Sequence, residues 1–162
     1  MPSFPKTLAT IQGCDILLHA DGHCTLVADA DVDCDGSGGN PEHDPFFQPD
    51  TSLHHEGKAL NAYEVPWIVL PPVALALVKP MVLGCKAAVL NRETCRMEFG
   101  VVGDIGPRAK VGEVSVEMAR RLGLKFNPNT GGTSDLRQIL YMWWPGLPAE
   151  VDGKTYTLQP RR

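Results

Sequence analysis

Two carboxylates in the second half of the chain have types and spacing that suit acid/base chemistry. Asp104 lies in the segment Gly100-Val-Val-Gly-Asp-Ile-Gly-Pro107, and Glu113 follows nine residues later in Val111-Gly-Glu-Val-Ser115. The pattern places Asp104 at the end of a buried strand and Glu113 just before a helix, so both could face one cleft. Such a pair is what acid/base hydrolysis of a glycoside needs. On spacing alone, the favoured explanation is that Asp104 forms a turn and Glu113 complements a helix N-terminus.

A second group of carboxylates fits a cation-binding loop. Asp31-Val-Asp-Cys-Asp-Gly36 with Glu42 satisfies the calcium-loop pattern D-x-D-x-D-G-x5-E, in which oxygen ligands at alternate positions converge on one ion. An EF-hand is not expected, because residues 25–28 have a strand pattern and Pro41 and Pro45 prevent a regular exiting helix. The open alternatives are an isolated calcium loop, contacts with a cationic ligand, and capping of backbone N–H groups within the loop.

The histidines and cysteines indicate less. His54 and His55 are adjacent and would point to opposite sides of an extended chain, and no H-E-x-x-H spacing occurs. The sequence contains no C-x-x-C pair, P-loop or nucleophile elbow, and five cysteines leave the disulfide pairing open. The histidines and cysteines therefore predict neither a metal site nor a cofactor.

The elements that must position these residues are mostly strands. Alternating apolar residues around Asp21-Gly22 predict a hairpin over residues 13–28. Apolar runs predict further strands over residues 65–70, 82–90, 97–102, 138–144 and 154–158. One helix is predicted between an N-cap at Ser115 and Gly123, and residues 29–57 are expected to form a long acidic loop. The expected fold is mainly β: a small six-stranded, double-psi-like β-barrel with one short helix and the acidic loop.

The charges are distributed unevenly along the chain. The net charge is −4, from 19 acidic and 15 basic residues. No Lys or Arg lies between Lys6 and Lys58, and this block holds ten of the acidic residues and all five histidines. It is either a solvated acidic loop or a site for something cationic. No apolar run reaches the roughly 18 residues of a membrane span, and a pI near 5.7 disfavours nucleic-acid binding.

Taken together, these segments resemble the family 75 glycoside hydrolases, the fungal-type endo-chitosanases. The resemblance covers roughly residues 14–132, and its most specific part is the pair G-D-x-G-P and G-E-x-S. The other matching segments are Asp31-Val-Asp-Cys-Asp-Gly36, Asp50-Thr-Ser-Leu53, Leu60-Asn-Ala62 and Val65-Pro-Trp-Ile-Val-Leu-Pro71. The resemblance implies that Asp104 and Glu113 are the essential carboxylates of an enzyme that hydrolyses β-1,4 linkages of chitosan internally and with inversion.

The resemblance also implies a purpose for the acidic block. Carboxylates that line a cleft would select a polysaccharide that carries ammonium groups. The expected substrate-binding residues are Asp31, Asp33, Asp35, Asp50, Thr51 and Asn61. We expect Asp104, among apolar neighbours, to be the acid, and Glu113, near a helix N-terminus, to be the base.

We accordingly expect a single glycoside hydrolase domain over residues 1–162 that acts as a monomer on polycationic chitosan, with no nucleic-acid or membrane partner. The resemblance implies secretion, although the chain shows no signal peptide. Two other functions are open at this stage. One is a peptidoglycan-cleaving hydrolase or lytic transglycosylase with Asp104 as its acid. The other is a calcium-dependent carbohydrate-binding domain centred on Asp31, Asp33, Asp35 and Glu42.

Overall fold

Short strands make up most of the molecule. The structure, a computed structural model, describes residues 3–77, 82–127 and 138–160. Within these ranges the strands are β1 (Lys6–Ile11), β2 (Cys14–Leu18), β3 (Cys24–Ala28), β4 (Asp31–Asp33), β5 (His54–His55), β6 (Lys58–Ala59), β7 (Trp67–Leu70), β8 (Cys85–Asn91), β9 (Arg96–Ile105), β10 (Glu113–Ser115), β11 (Ile139–Pro148), β12 (Glu150–Val151) and β13 (Lys154–Thr155). The helices are α1 (Pro72–Leu77) and α2 (Val116–Arg121).

Nine of these strands form one curled sheet in the order β1-β2-β3-β11-β8-β9-β7-β10-β4. Most neighbours are antiparallel, whereas β7 with β9 and β10 with β4 are parallel pairs. Strands β5 and β6 form one separate two-stranded sheet, and β12 and β13 form another. The two parallel pairs are the part of the sheet that carries Asp104 and Glu113.

The mainly β prediction is confirmed, and several of its elements are where the pattern placed them. The hairpin around Asp21-Gly22 is the pair β2–β3, and Gly22 has the positive φ of 93° that such a turn favours. Ser115 caps α2 by accepting a hydrogen bond from the backbone N–H of Met118, and Gly123 follows the helix with a φ of 69°.

The six-stranded double-psi-like barrel is not confirmed. The described sheet has nine strands in a half-barrel, and its edge strands β1 and β4 pair with one neighbour each. A second helix, α1, begins at Pro72, a favoured residue for a first helical position. The acidic loop is interrupted, because β4 and β5 lie within residues 29–57. Strands of two or three residues are too short to show the alternation on which the prediction depended.

One hydrophobic core joins the sheet to α2. Its largest fully buried side chains include Trp67 of β7, Tyr141 and Trp143 of β11, and Met118 of α2. Gly100 lets β9 lie close to the segment before β7, because a Cβ there would lie 2.6 Å from the Pro66 carbonyl oxygen. All five cysteines lie in the described ranges, and none forms a disulfide. No helix of the described residues is long and apolar enough to cross a bilayer.

Candidate active site

Strand β7 holds Asp104 and Glu113 at a defined separation. Val69 of β7 is the register partner of Asp104 on one side and of Glu113 on the other. Because neighbouring strands lie about 4.7–4.9 Å apart, the Cα atoms of the two acidic residues are roughly 9–10 Å apart. Register partners project from the same face of a sheet, and all three residues line one depression. The prediction that both carboxylates face one cleft agrees with this geometry.

The glycines of the G-D-x-G segment leave room for this arrangement. A Cβ at Gly103 would lie 2.7 Å from the Cβ atom of Trp67, so only glycine lets β9 approach β7 here. A Cβ at Gly106 would lie 3.0 Å from the Cγ1 atom of Val69 and 3.3 Å from the Oε2 atom of Glu113. The motif therefore reflects both strand packing and space for the Glu113 carboxyl group.

Asp104 is buried, and three donors hold one of its oxygens. Its Oδ1 atom accepts hydrogen bonds from the Ser52 N–H at 3.0 Å, the Ser52 hydroxyl at 2.9 Å and the Ile105 N–H at 3.0 Å. The Leu53 N–H donates to the Gly103 carbonyl at 3.1 Å and keeps this segment against β9. Such donors suit a carboxylate better than a carboxylic acid, because ionised acceptors make the stronger bonds.

Asp33 and Asp35 lie beside Asp104. The Asp33 carboxyl accepts hydrogen bonds from the Trp67 Nε1–H at 3.1 Å and from the Asp35 N–H at 3.0 Å. Burial raises the pKa of Asp33 well above its usual range, and the charges of Asp104 and Asp35 raise it further. Burial also raises the pKa of Asp35 to about 6, although the Gln48 N–H donates to its carboxylate at 2.7 Å and opposes the rise. These two groups therefore retain protons at pH values where a solvated aspartate is ionised.

The carboxylates of the calcium-loop pattern do not converge on one point. Oxygen atoms of Asp33, Asp35 and Asp104 lie within 4.8 Å of one another, a spacing at which a cation could be shared. Among the described residues, neither Asp31 nor Glu42 belongs to such a group of three or more. The ligand set that the pattern D-x-D-x-D-G-x5-E requires is thus not assembled in this structure.

Glu113 lies beside a lysine that the sequence did not single out. Parallel pairing of β10 with β4 aligns Glu113 with Asp31, and the Lys110 Nζ atom lies 2.9 Å from Asp31 Oδ2 and 3.5 Å from Glu113 Oε1. Burial raises the pKa of Glu113, and the Lys110 charge opposes that rise. Burial alone would lower the pKa of Lys110, but Glu113 and Asp31 outweigh it and raise this pKa.

Three depressions that share Asp35 form what we call the acidic groove. Its carboxylates are Asp33, Asp35, Asp44, Asp50, Asp104 and Glu113. Thr51 also borders it, but its hydroxyl donates to the Leu53 carbonyl at 2.7 Å and accepts from the Leu60 N–H at 2.9 Å. Asn61 lies at a different depression. Of the predicted substrate contacts, Asp33, Asp35 and Asp50 are therefore in the groove, Asp31 reaches its edge through Lys110, and Asn61 lies apart.

Sequence reasoning missed several residues of the groove. Lys110 lies three positions before Glu113, a spacing that could have indicated an ion pair. Ser52 lay inside the matching segment Asp50-Thr-Ser-Leu53 but was not assigned a role. Phe46 borders the groove and is 80% exposed, and nothing in its sequence neighbourhood marks it out. Its ring offers an apolar surface against which a sugar can pack.

Comparisons with known proteins agree with the motifs. The family model described as fungal chitosanase of glycosyl hydrolase group 75 matches residues 30–159. An endo-chitosanase C of Aspergillus oryzae is 36% identical over 141 residues, which cover 82% of this chain and 35% of the relative. A second endo-chitosanase C of the same species is 34% identical over 143 residues, with the same shares. The chain thus spans about a third of the length of the curated relatives it matches.

Proposed function

The chain belongs to glycoside hydrolase family 75, the fungal chitosanases, and from this premise we propose that it is an endo-chitosanase. It hydrolyses β-1,4 linkages between glucosamine units of chitosan with inversion at the anomeric carbon. The observation that carries the proposal is the placement of Asp104 and Glu113 on either side of Val69, on one face of the acidic groove. We further propose that the chain is a single catalytic domain, monomeric and extracellular.

The spacing of the two carboxylates supports an inverting reaction. Inversion needs carboxyl groups about 6.5–9.5 Å apart, so that a water molecule fits between the sugar and the base, whereas retaining enzymes hold them about 5–5.5 Å apart. One intervening strand places the two Cα atoms roughly 9–10 Å apart, which leaves room for the larger separation of the carboxyl groups.

Glu113 is the proposed acid and Asp104 the proposed base, the reverse of the sequence-based expectation. Burial raises the pKa of Glu113, so its carboxylic acid persists to higher pH and can protonate the glycosidic oxygen. Asp104 is buried as expected, but the donors from Ser52 and Ile105 suit its carboxylate form. Asp104 takes a proton from water, the oxygen of that water bonds to the anomeric carbon, and the bond to the leaving oxygen breaks.

The rest of the groove supports a cationic substrate. Asp44 lines a depression together with Glu113, and Asp50 lines one together with Asp104, so ammonium groups of a bound chain would reach both carboxylates. The exposed ring of Phe46 supplies an apolar face for a sugar. A polysaccharide with an ammonium on most sugars matches this combination better than a neutral one.

The decisive experiment follows chitosan cleavage by viscosity loss and identifies the first anomer by NMR. We expect a rapid fall in viscosity and an inverted anomer. We also expect Asp104→Asn and Glu113→Gln to lower kcat by about 10²–10⁴-fold, because each removes a proton-transfer group. Asp15→Asn, an exposed carboxylate of β2, is the control that should not change kcat.

Three results would count against the proposal. Full activity of Asp104→Asn or Glu113→Gln would show that the assigned pair is not catalytic. A product with a retained anomer would rule out inversion. Cleavage of chitin or peptidoglycan in preference to chitosan would show that the substrate is another cell-wall polysaccharide. Circular dichroism of the variants separates loss of chemistry from loss of fold.

A further inference from the structure

Among the described residues, Lys110 is the one cation that borders the acidic groove. Its side chain is half-buried, and it contacts both Asp31 and the proposed acid Glu113. An ammonium in a groove that must admit a polycation repels the substrate at that point.

The backbone around Lys110 sets the position of its side chain. The Asp31 N–H donates to the Gly112 carbonyl at 2.7 Å, and the Val111 N–H donates to the Gln12 side chain at 3.1 Å. Gly112 has a φ of 87°, and a Cβ there would lie 2.6 Å from the Asp29 carbonyl oxygen. The chain before β10 is therefore held tightly against the start of β4, which brings Lys110 to the two carboxylates.

We propose that Lys110 is a positioning residue of the acid step, whose ammonium orients the Glu113 carboxyl and stabilises the carboxylate left after proton transfer to the glycosidic oxygen. The inference rests on the proposed function. The bond that forms is O–H on the leaving sugar, the proton comes from Glu113, and Lys110 keeps its own proton throughout.

Lys110 is the positive charge that opposes the effect of the neighbouring carboxylates on the pKa of Glu113. The groups that face Glu113 are Lys110 from the preceding loop, Asp31 and Asp33 from β4, Asp104 from β9 and Tyr141 from β11. Burial and the carboxylates of Asp31 and Asp104 raise the pKa of Glu113, whereas Lys110 lowers it. Without Lys110, Glu113 would be a weaker acid, and its conjugate base would lie unpaired beside Asp31.

The test compares Lys110→Met and Lys110→Arg, with Arg108→Met as the matched control. Arg108 lies two residues away and lines a separate depression beside α1. Rates are measured on a glucosamine hexamer across the pH range, so that kcat and KM are separated. We expect Lys110→Met to lower kcat about tenfold and to move the alkaline limb of the kcat profile to higher pH. Lys110→Arg should restore the limb, and Arg108→Met should match the unmodified protein.

The outcomes separate the two proposals. An unmodified protein that does not cleave the hexamer refutes the proposed function. If the unmodified protein is active but the alkaline limb does not move in Lys110→Met, only the proposed role of Lys110 is refuted, whatever the change in rate. A change in KM with kcat and the limb intact shows substrate repulsion only and also overturns the inference. Movement of the acid limb instead would overturn the assignment of Glu113 as the acid.

Discussion

The carboxylate side chains in the groove repel one another. Asp33, Asp35, Asp104 and Glu113 share one small volume, and Lys110 is the one described cation beside them. Carboxyl groups that are buried together cannot all ionise without cost, so some retain their protons. The same proximity therefore makes the stability of the folded protein depend on pH.

Asp35→Asn should stabilise the protein at neutral pH and not in acid. The pKa of Asp35 is about 6 when folded against 3.8 as its ordinary value, so folding favours its protonated form. The protonated Asp35 side chain adds to the free energy of unfolding. This stabilisation is fully present below pH 3.8 and is lost as the pH rises through 6. Asparagine mimics the protonated acid and can still accept from the Gln48 N–H. We expect the Tm to rise by about 2–4 °C at pH 7.5 and to change little at pH 3.5.

Thermal unfolding at the two pH values checks this, with Asp15→Asn as the exposed control. An equal Tm change at both pH values would show that the burial and charge of Asp35 do not set its stability contribution.

At the scale of elements, Ser115 connects the segments around Asp104 and Glu113. Its hydroxyl donates to the Val65 carbonyl at 2.7 Å and accepts from the Trp67 N–H at 3.0 Å and the Met118 N–H at 3.2 Å. One buried side chain thus joins the start of β7, the end of β10 and the first turn of α2. The sequence predicted only its N-cap role, because the contacts with β7 join residues about 50 positions apart.

Ser115→Ala should lower the free energy of unfolding by about 2–4 kcal/mol, because it removes the helix cap and leaves a buried N–H and C=O unpaired. Urea unfolding measures the change. Thr94→Ala removes a comparable hydroxyl contact at an exposed turn and should have an effect below about 0.5 kcal/mol. If the two variants lose equal stability, Ser115 does not connect the elements as described.

At the scale of the whole molecule, the acidic block divides between the groove and the remaining surface. Four of its ten carboxylates border the groove: Asp33, Asp35, Asp44 and Asp50. The block therefore contributes one wall, whereas Asp104, Lys110 and Glu113 come from the more basic part of the chain. Attraction between this wall and a polycation is a long-range effect that salt screens.

Asp44→Asn should lower kcat/KM on chitosan oligomers about threefold at low ionic strength, with the difference vanishing at high salt. Asn can still accept the Phe46 N–H bond that Asp44 receives at 2.9 Å, so the local turn is kept. Rates at several ionic strengths test this, and Asp15→Asn should leave them unaltered. A deficit that persists at high salt would mean that Asp44 acts by direct contact rather than by steering.

Local sequence patterns predicted much of the fold and singled out Asp104 and Glu113. The β2–β3 hairpin, the strands near β7, β8, β9 and β11, and the cap of α2 follow from alternation, turn residues and capping, which depend on neighbours in the chain. Asp104 and Glu113 stood out because each lies in a short motif. Strand order and the pairing of β4 with β10 could not be predicted, because they depend on which distant segments pair. The six-residue helix α1 and the two-residue strands β5, β6 and β12 were missed because they are too short to show a period.

The sequence by itself determined that Asp104 and Glu113 each lie in a short motif and that the chain holds a block rich in carboxylates, since both are properties of residue type and local spacing. Only the tertiary structure decided that Val69 separates Asp104 from Glu113, that Lys110 lies beside Glu113 and that Asn61 lies elsewhere. The pKa values of the carboxyl groups also depend on both the sequence and the tertiary structure. A carboxyl group's ordinary pKa belongs to its residue type, whereas burial and neighbouring charges exist only once the chain has folded.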